Sequence, residues 1–141
     1  MMSNPNSNAA SLSQSGTGTL HLIPVALGEA PIDQWLPTQA QARAGSLKIY
    51  IVESAKVARA FLKLTPLTHP LQDILMHELN ARVEDATVEQ WLAPLKAGQD
   101  IGLVSDAGCP AVADPGARAV ALAHRWGIPV KPWVGPSSIL L

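Results

Sequence analysis

Four short apolar segments, Thr19–Val25, Leu47–Glu53, Asp100–Ser105 and Ile128–Trp133, recur along this chain, each bounded by Gly, Pro or a charge. Runs of this length without polar alternation read as strands covered on both faces, which is the signature of a parallel sheet between helical layers. Pro129 and Pro132 make the last segment irregular or an edge, because proline has no N–H to give to a ladder. A weaker fifth segment, Asp73–Leu79, reads as either a strand or a helical turn.

Helical patterns lie between these segments. Ser54 to Leu64 predicts a helix with Val57, Phe61 and Leu64 facing the core. In the next, Val88, Trp91, Leu92 and Leu95 fall on one face, Asp85 or Thr87 supplies the cap, Pro94 kinks the last turns and Gly98 closes them. A further helix starts at Asp114 as N-cap with Pro115 at its first position, then carries Ala117, Val120, Ala121 and Trp126 before Gly127. Strand and helix alternating in this rhythm predict crossover units, hence an α/β domain of three layers around a mostly parallel central sheet. Ligands of such sheets bind beyond the carboxyl ends of the strands. The loops after Val25, Glu53, Leu79, Ser105 and Trp133 are therefore where function is expected.

Bulk properties narrow the class. A chain of 141 residues that is 48% hydrophobic forms one core and buries roughly two thirds of its unfolded surface. Only 15% of its residues are charged, and the formal net charge is −1 with Lys and Arg dispersed. Such a surface gives little non-specific affinity for nucleic acid, which depends on neutralising many phosphates together. One Cys excludes an internal disulfide framework and fits a reducing, cytoplasmic setting. Residues 1–18, rich in Ser, Asn and Gly, read as a disordered tail without secretory features, and no apolar run is long enough to span a membrane. The chain closes on Ser137-Ser138-Ile139-Leu140-Leu141, which reads as the first turn of a helix.

The densest chemical signal is Val104-Ser105-Asp106-Ala107-Gly108-Cys109-Pro110, followed by Ala111-Val112-Ala113-Asp114-Pro115-Gly116. A strand delivers Asp106 at its carboxyl end, Gly108 permits a close backbone approach and Pro110 stiffens the turn. Together they predict a rigid, neutral shelf of backbone groups able to grip a flat ligand, although a well-capped strand-to-helix turn would read similarly. Trp133-Val134-Gly135-Pro136-Ser137-Ser138 is a second such turn, with Ser137 or Ser138 placed to cap a helix. Pro24 bends a third loop, which relaxes at Gly28.

Other motifs are missing. Gly16-Thr17-Gly18 precedes a strand and so cannot be a dinucleotide-gripping turn, and no phosphate-binding G-x-x-x-x-G-K-[ST] run occurs. The spacing of His21, His69, His77 and His124 matches no metal site, and Cys109 reads better as a small wall residue than as a nucleophile.

Taken together, Thr19-Leu20-His21-Leu22-Ile23-Pro24, the Val104–Pro110 turn, Asp114-Pro115-Gly116 and Gly135-Pro136-Ser137-Ser138 resemble the tetrapyrrole methylase superfamily. Within it they are most similar to the branch that methylates a cytidine ribose 2′-hydroxyl in small-subunit ribosomal RNA. The resemblance implies that residues 19–141 form the N-terminal domain of such an enzyme, with a second α/β domain to follow, usually in a homodimer. It further implies S-adenosyl-L-methionine as cofactor, held by Pro24, Asp106, Gly108, Pro110, Val112, Gly135, Pro136 and Ser137. Two features depart from the branch: Glu53-Ser54-Ala55-Lys56 stands where it has glutamate-aspartate-threonine-arginine, and the Pro24 loop lacks its proline-threonine-proline start. Lysine cannot copy the bidentate grip of arginine, so the chain reads as a divergent paralogue.

The expected chemistry is methyl transfer to a ribose hydroxyl, with Glu53 or Asp106 as the carboxylate that helps to deprotonate the acceptor. Lys56, His77 and Asn80 are the acceptor-side candidates, and no metal is expected. Two alternatives stay open: methylation of a tetrapyrrole or other small molecule, and a non-catalytic domain that binds the cofactor or a protein partner.

Overall fold

The computed structural model describes residues 16–26, 30–104 and 116–133. Its strands are β1 (Leu20–Ile23), β2 (Ile49–Val52), β3 (Leu75–Glu78), β4 (Ile101–Val104) and β5 (Val130–Pro132). They form one sheet in the order β3-β2-β4-β1-β5, and every pairing is parallel. The helices are α1 (Thr38–Ser46), α2 (Ala55–Leu62), α3 (Asp85–Leu92) and α4 (Gly116–Arg125), with short 3-10 turns at Ile32–Gln34, Leu71–Asp73 and Ala93–Ala97.

The order of the strands dictates the layers. From β1 through β2 to β3 the chain steps one way across the sheet, and from β3 through β4 to β5 it steps back. Right-handed crossovers then put α1 and α2 on one face and α3 and α4 on the other. Packing agrees with this. Ile23, Tyr50, Val52 and Val104 meet Ala40, Ala44, Ala58, Phe61 and Leu62 in one core. Leu20, Ile49, Ile51, Ile101 and Leu103 meet Val88, Leu92, Leu95, Ala119, Leu122 and Ala123 in the other. Every residue of β2 and β4 is buried, as strands covered on both faces require.

Several details differ from the sequence expectation. Within Asp73–Leu79, Leu75–Glu78 is the edge strand β3 and Asp73 ends a 3-10 turn; the half-exposed pattern of the strand explains its ambiguous reading. β5 is the opposite edge, as its prolines required. The helix α1 had no apolar stripe to announce it, because its buried positions are Ala40, Gln41, Ala44 and Gly45. α2 stops at Leu62, which leaves Leu64 56% exposed and not in the core, while Ala58 and Leu62 take the buried positions. Neither Asp85 nor Thr87 caps α3; Glu84 is the N-cap residue, and Asp85 in the first turn binds Arg118 instead. Ala121 is exposed, and the buried face of α4 is Ala119, Leu122 and Ala123. Pro94 does change the helix, which tightens to 3-10 geometry before Gly98 ends it at a φ of 93°. The proposed cap at Asp114 and Pro115 lies outside the described residues, as do residues 1–15. Gly18 is tied down, its N–H donating to the Leu95 carbonyl at 2.7 Å.

The centre of the sheet depends on one missing side chain. Gly102 of β4 lies beside Tyr50 of β2, and a Cβ there would overlap the tyrosine ring. The vacant space lets Tyr50 lie fully buried with its hydroxyl donating to the Ala44 carbonyl, which joins the central sheet to α1. Burial pushes the phenol well above its usual pKa, so it remains a donor throughout the working range. Gly102→Ala should destabilise the protein by about 1–3 kcal/mol through overpacking, and Gly102→Val by more. Urea unfolding followed by tryptophan fluorescence measures both, and a wild-type midpoint for the valine variant would refute this packing account.

Candidate functional site

Because the strands run parallel, their carboxyl ends share one edge of the sheet. Val104 of β4 is in register with Ile23 of β1 on one side and Val52 of β2 on the other, and Glu78 pairs with Val52 at the outer edge. The loops after β1, β2 and β3 therefore begin side by side, at spacings of about 4.8 Å per strand. Pro24 follows β1 and is half-buried, with Val25 behind it almost fully buried. Glu53 follows β2 and is exposed, while Leu79 and Asn80 follow β3, the first buried and the second exposed. Glu53 and Asn80 thus belong to neighbouring strands, whereas β4 separates Glu53 from Pro24.

Asp106, Gly108, Cys109, Pro110 and Val112 lie outside the described residues, as do Gly135, Pro136 and Ser137. The strands that lead to them are placed. β4 is the central strand, and β5 is separated from it only by β1. Their ends at Val104 and Pro132 are therefore about 10 Å apart on the same edge. At that edge Val25, Val104 and Leu79 are buried and Pro24 is half-buried, while Glu53, Glu78 and Asn80 are exposed, Glu53 following the strand next to the central one.

The amino end of α2 fixes how Glu53 and Lys56 are presented. Ser54 adopts an extended conformation as N-cap, and its Oγ accepts the Val57 N–H at 3.3 Å. Glu78, reaching across from β3, accepts the Ala55 N–H at 2.7 Å. A carboxylate at the positive end of a helix is stabilising, so Glu78 fastens the Glu53–Lys56 segment to the edge strand. Sequence reasoning gave this residue no role of its own. The available signal was a glutamate at the carboxyl end of a strand neighbouring a helix start. Lys56 stands exposed in the first turn of α2, where a cation gains nothing from the helix dipole.

His77 does not lie in a loop. It sits within β3, stacked on Trp91 of α3 with ring centroids 4.7 Å apart and planes 9° from parallel. Burial lowers its pKa, so the ring is neutral at pH 7. Asn80 begins a tight turn in which its Oδ1 accepts the Arg82 N–H at 2.8 Å. Its carbonyl accepts a hydrogen bond from Arg118 at 3.2 Å.

A second polar cluster links β1, the start of β4 and the end of β5. His21 is 3% exposed. The Trp133 indole N–H donates to its Nδ1 at 3.0 Å, which requires the ring proton on Nε2. Nε2 in turn donates to Asp100 Oδ2 at 3.0 Å. The Thr19 N–H donates to the other carboxylate oxygen at 2.9 Å, and Arg43 lies 3.7 Å from Oδ2. Though it looks like a catalytic pair, this imidazole has both nitrogens committed and serves to hold strands together. Burial is the main cause of a His21 pKa below 6.5, outweighing the Asp100 hydrogen bond, with Arg43 and Lys131 acting in the same direction as burial. Burial would raise the Asp100 carboxyl, yet hydrogen bonds from His21 and Thr19 together with Arg43 hold it below its ordinary value.

Among the described residues, no group of three or more His, Cys, Asp or Glu is arranged to hold a metal ion. Among them too, no helix is long and apolar enough to cross a membrane.

The doubly wound parallel sheet with helices on both faces defines a three-layer α/β domain of the tetrapyrrole methylase type. No protein-family model matches the chain. The ribosomal RNA small subunit methyltransferase I of Micromonospora olivasterospora is 33% identical over 125 residues, 89% of this chain and 37% of its own length. That of Xylella fastidiosa is 32% identical over 123 residues, 87% of this chain and 42% of its own. The Mesorhizobium japonicum protein of the same name reaches 51% identity over 49 residues, 35% of this chain and 17% of its own. Over the span it shares with them, the chain belongs to the tetrapyrrole methylase superfamily, in the branch of these methyltransferase I proteins. It spans about two fifths of the length of the relatives that match most of it (37% and 42%).

The His21 cluster makes stability depend on pH in a definite direction. Neutral His21 is favoured in the folded protein, so its contribution is complete above the unfolded pKa near 6.5 and declines as pH falls below it. Asp100 adds a further loss at lower pH, as its own carboxyl is protonated. Melting temperature should therefore fall between pH 7.5 and 5.5. Trp133→Phe frees Nδ1 to take a proton, so it should raise the His21 pKa in a histidine NMR titration and flatten that fall. An unchanged His21 titration in this variant would show that the indole does not set the tautomer.

Proposed function

We propose that this chain is the N-terminal domain of an S-adenosyl-L-methionine-dependent methyltransferase whose acceptor is a ribose 2′-hydroxyl of small-subunit ribosomal RNA. The observation that carries the reading is the alignment of loop starts. β4, which leads into the Val104–Pro110 segment, lies at the centre of a parallel sheet between the loops of Pro24 and Glu53. The likeness to methyltransferase I proteins over most of the chain supports it.

At the described edge, half-buried Pro24 suits the apolar face of an adenosyl group, and the exposed Glu53 carboxylate, next to the central strand, suits a sulfonium. Pro24, Asp106, Gly108, Pro110, Val112, Gly135, Pro136 and Ser137 would hold it, largely through backbone groups. When bound, the cofactor supplies the methyl group and its leaving group. The chain supplies orientation, exclusion of water and a base. A ribose hydroxyl is a weak nucleophile near neutral pH, so Glu53 or Asp106 takes its proton as the new bond forms. Lys56 and Asn80 meet the acceptor, and His77 supports that side at one remove through its stack on Trp91. A second α/β domain forms the opposite wall, the working unit is a homodimer, and the site of action is the cytoplasm.

The near-balanced charge of this domain favours one further reading, a small-molecule or tetrapyrrole acceptor on the same cleft.

The test is transfer of a radiolabelled methyl group by the full-length protein to small ribosomal subunits lacking the mark, with the labelled nucleotide mapped. Glu53→Gln or Asp106→Asn, whichever removes the base, should lower kcat by about a hundredfold or more. Cofactor affinity, measured by calorimetry, should survive Glu53→Gln. Wild-type turnover in both variants would remove these residues from the chemistry. Cofactor binding without label in the subunit, but with label in a small molecule, would shift the assignment to the second reading.

A further inference from the structure

One guanidinium gathers three acceptors beside the carboxyl edge. Arg118, in the first turn of α4, donates through Nη1 to the Asn80 carbonyl at 3.2 Å. Through Nη2 it donates to the Val83 carbonyl at 2.5 Å and to the Asp85 carboxylate at 2.7 Å. These acceptors lie 33 to 38 positions away in sequence, so the bonds join the β3–α3 loop to a helix that follows a different strand. Two hydrogen bonds inside the loop already close it. Asn80 Oδ1 takes the Arg82 N–H at 2.8 Å, and the Val83 N–H donates to the Asn80 carbonyl at 3.1 Å. The loop is thus a preformed turn, and Arg118 determines where that turn sits.

Backbone acceptors matter most here. The Asp85 side chain is 88% exposed, and solvent screens a pair of that kind. Bonds to two carbonyls, by contrast, locate the main chain itself. Arginine reaches them because its donors form a rigid planar fork, whereas a lysine would offer a single point charge.

We propose that Arg118 is a positioning residue for the methyl acceptor: by clamping the Asn80–Val83 turn to α4 it sets the acceptor-side wall of the cleft. This inference rests on the methyltransferase reading above. It assigns the role to a residue in the first turn of a helix, two positions after the Asp114-Pro115-Gly116 stretch.

The test uses full-length wild-type, Arg118→Ala, Arg118→Lys and Asp85→Ala proteins. It compares kcat per active site, KM for small ribosomal subunits, cofactor Kd and amide hydrogen exchange across residues 79–85. Arg118→Ala should raise KM by about five- to twentyfold with kcat within about twofold, because binding geometry and not chemistry is lost. Exchange in the turn should quicken and cofactor affinity should hold. Arg118→Lys should fall between the two, and Asp85→Ala should match wild type. An unchanged KM with activity falling only in step with the folded fraction would overturn the proposal, and so would unaltered exchange in the turn. If Arg118→Ala does not fold, wild-type KM and exchange in Arg118→Lys would overturn it equally. Wild-type protein that binds cofactor yet labels no subunit would defeat the functional reading alone, leaving exchange to decide whether the clamp exists.

Discussion

β4 is held between β1 and β2 with both neighbours parallel to it, and that placement depends on Gly102 making room for Tyr50. Were the glycine replaced by a larger residue, β2 and β4 would have to separate or Tyr50 leave its pocket. The tyrosine hydroxyl carries the same constraint outward to α1 through the Ala44 carbonyl. Each carboxyl-edge loop inherits its starting point from this register, so the geometry of the candidate site begins with packing at the middle of the sheet, two residues below the edge.

Most of the architecture was legible because the sequence repeats a simple unit. A strand buried on both faces has no polar alternation, and the helices between such strands show their apolar spacing plainly at Val88, Trp91, Leu92 and Leu95. Where the pattern was weak, the physics was weak too. α1 buries Ala40 and Ala44 in the core with the sheet and Gly45 against the backbone at Pro66, close approaches that need small residues and so leave no hydrophobic stripe. Leu64 sits at the correct helical interval, but the helix ends before reaching it. β3 has partners on one side only, which gives it a composition intermediate between strand and turn.

The candidate site divides along the same line. Pro24, Glu53 and Asn80 do come just after strands, where a general rule about parallel sheets looks for function. His77, an acceptor-side candidate, lies inside β3 and packs on Trp91, a contact between a strand and a helix distant in sequence that no local pattern announces. Glu78 and Arg118 escaped because their roles come from pairs distant in sequence, one carboxylate meeting a helix start and one guanidinium meeting a turn. Single-sequence patterns record periodicity within an element; they carry almost nothing about which elements exchange hydrogen bonds.

The position of β1 also governs how the chain comes together in time. Both of its neighbours in the sheet are made later: Leu20 pairs with Ile101 and with Val130. On a ribosome adding about 5–20 residues per second, β1 waits several seconds for its first partner, with Leu20, Leu22 and Ile23 unsheltered. Contacts this remote in sequence slow folding, because the intervening chain must be closed before they form. Nascent copies therefore pass through a stage at which an apolar strand is open to chaperones or to other unfinished chains, and that exposure ends only when β4 has emerged.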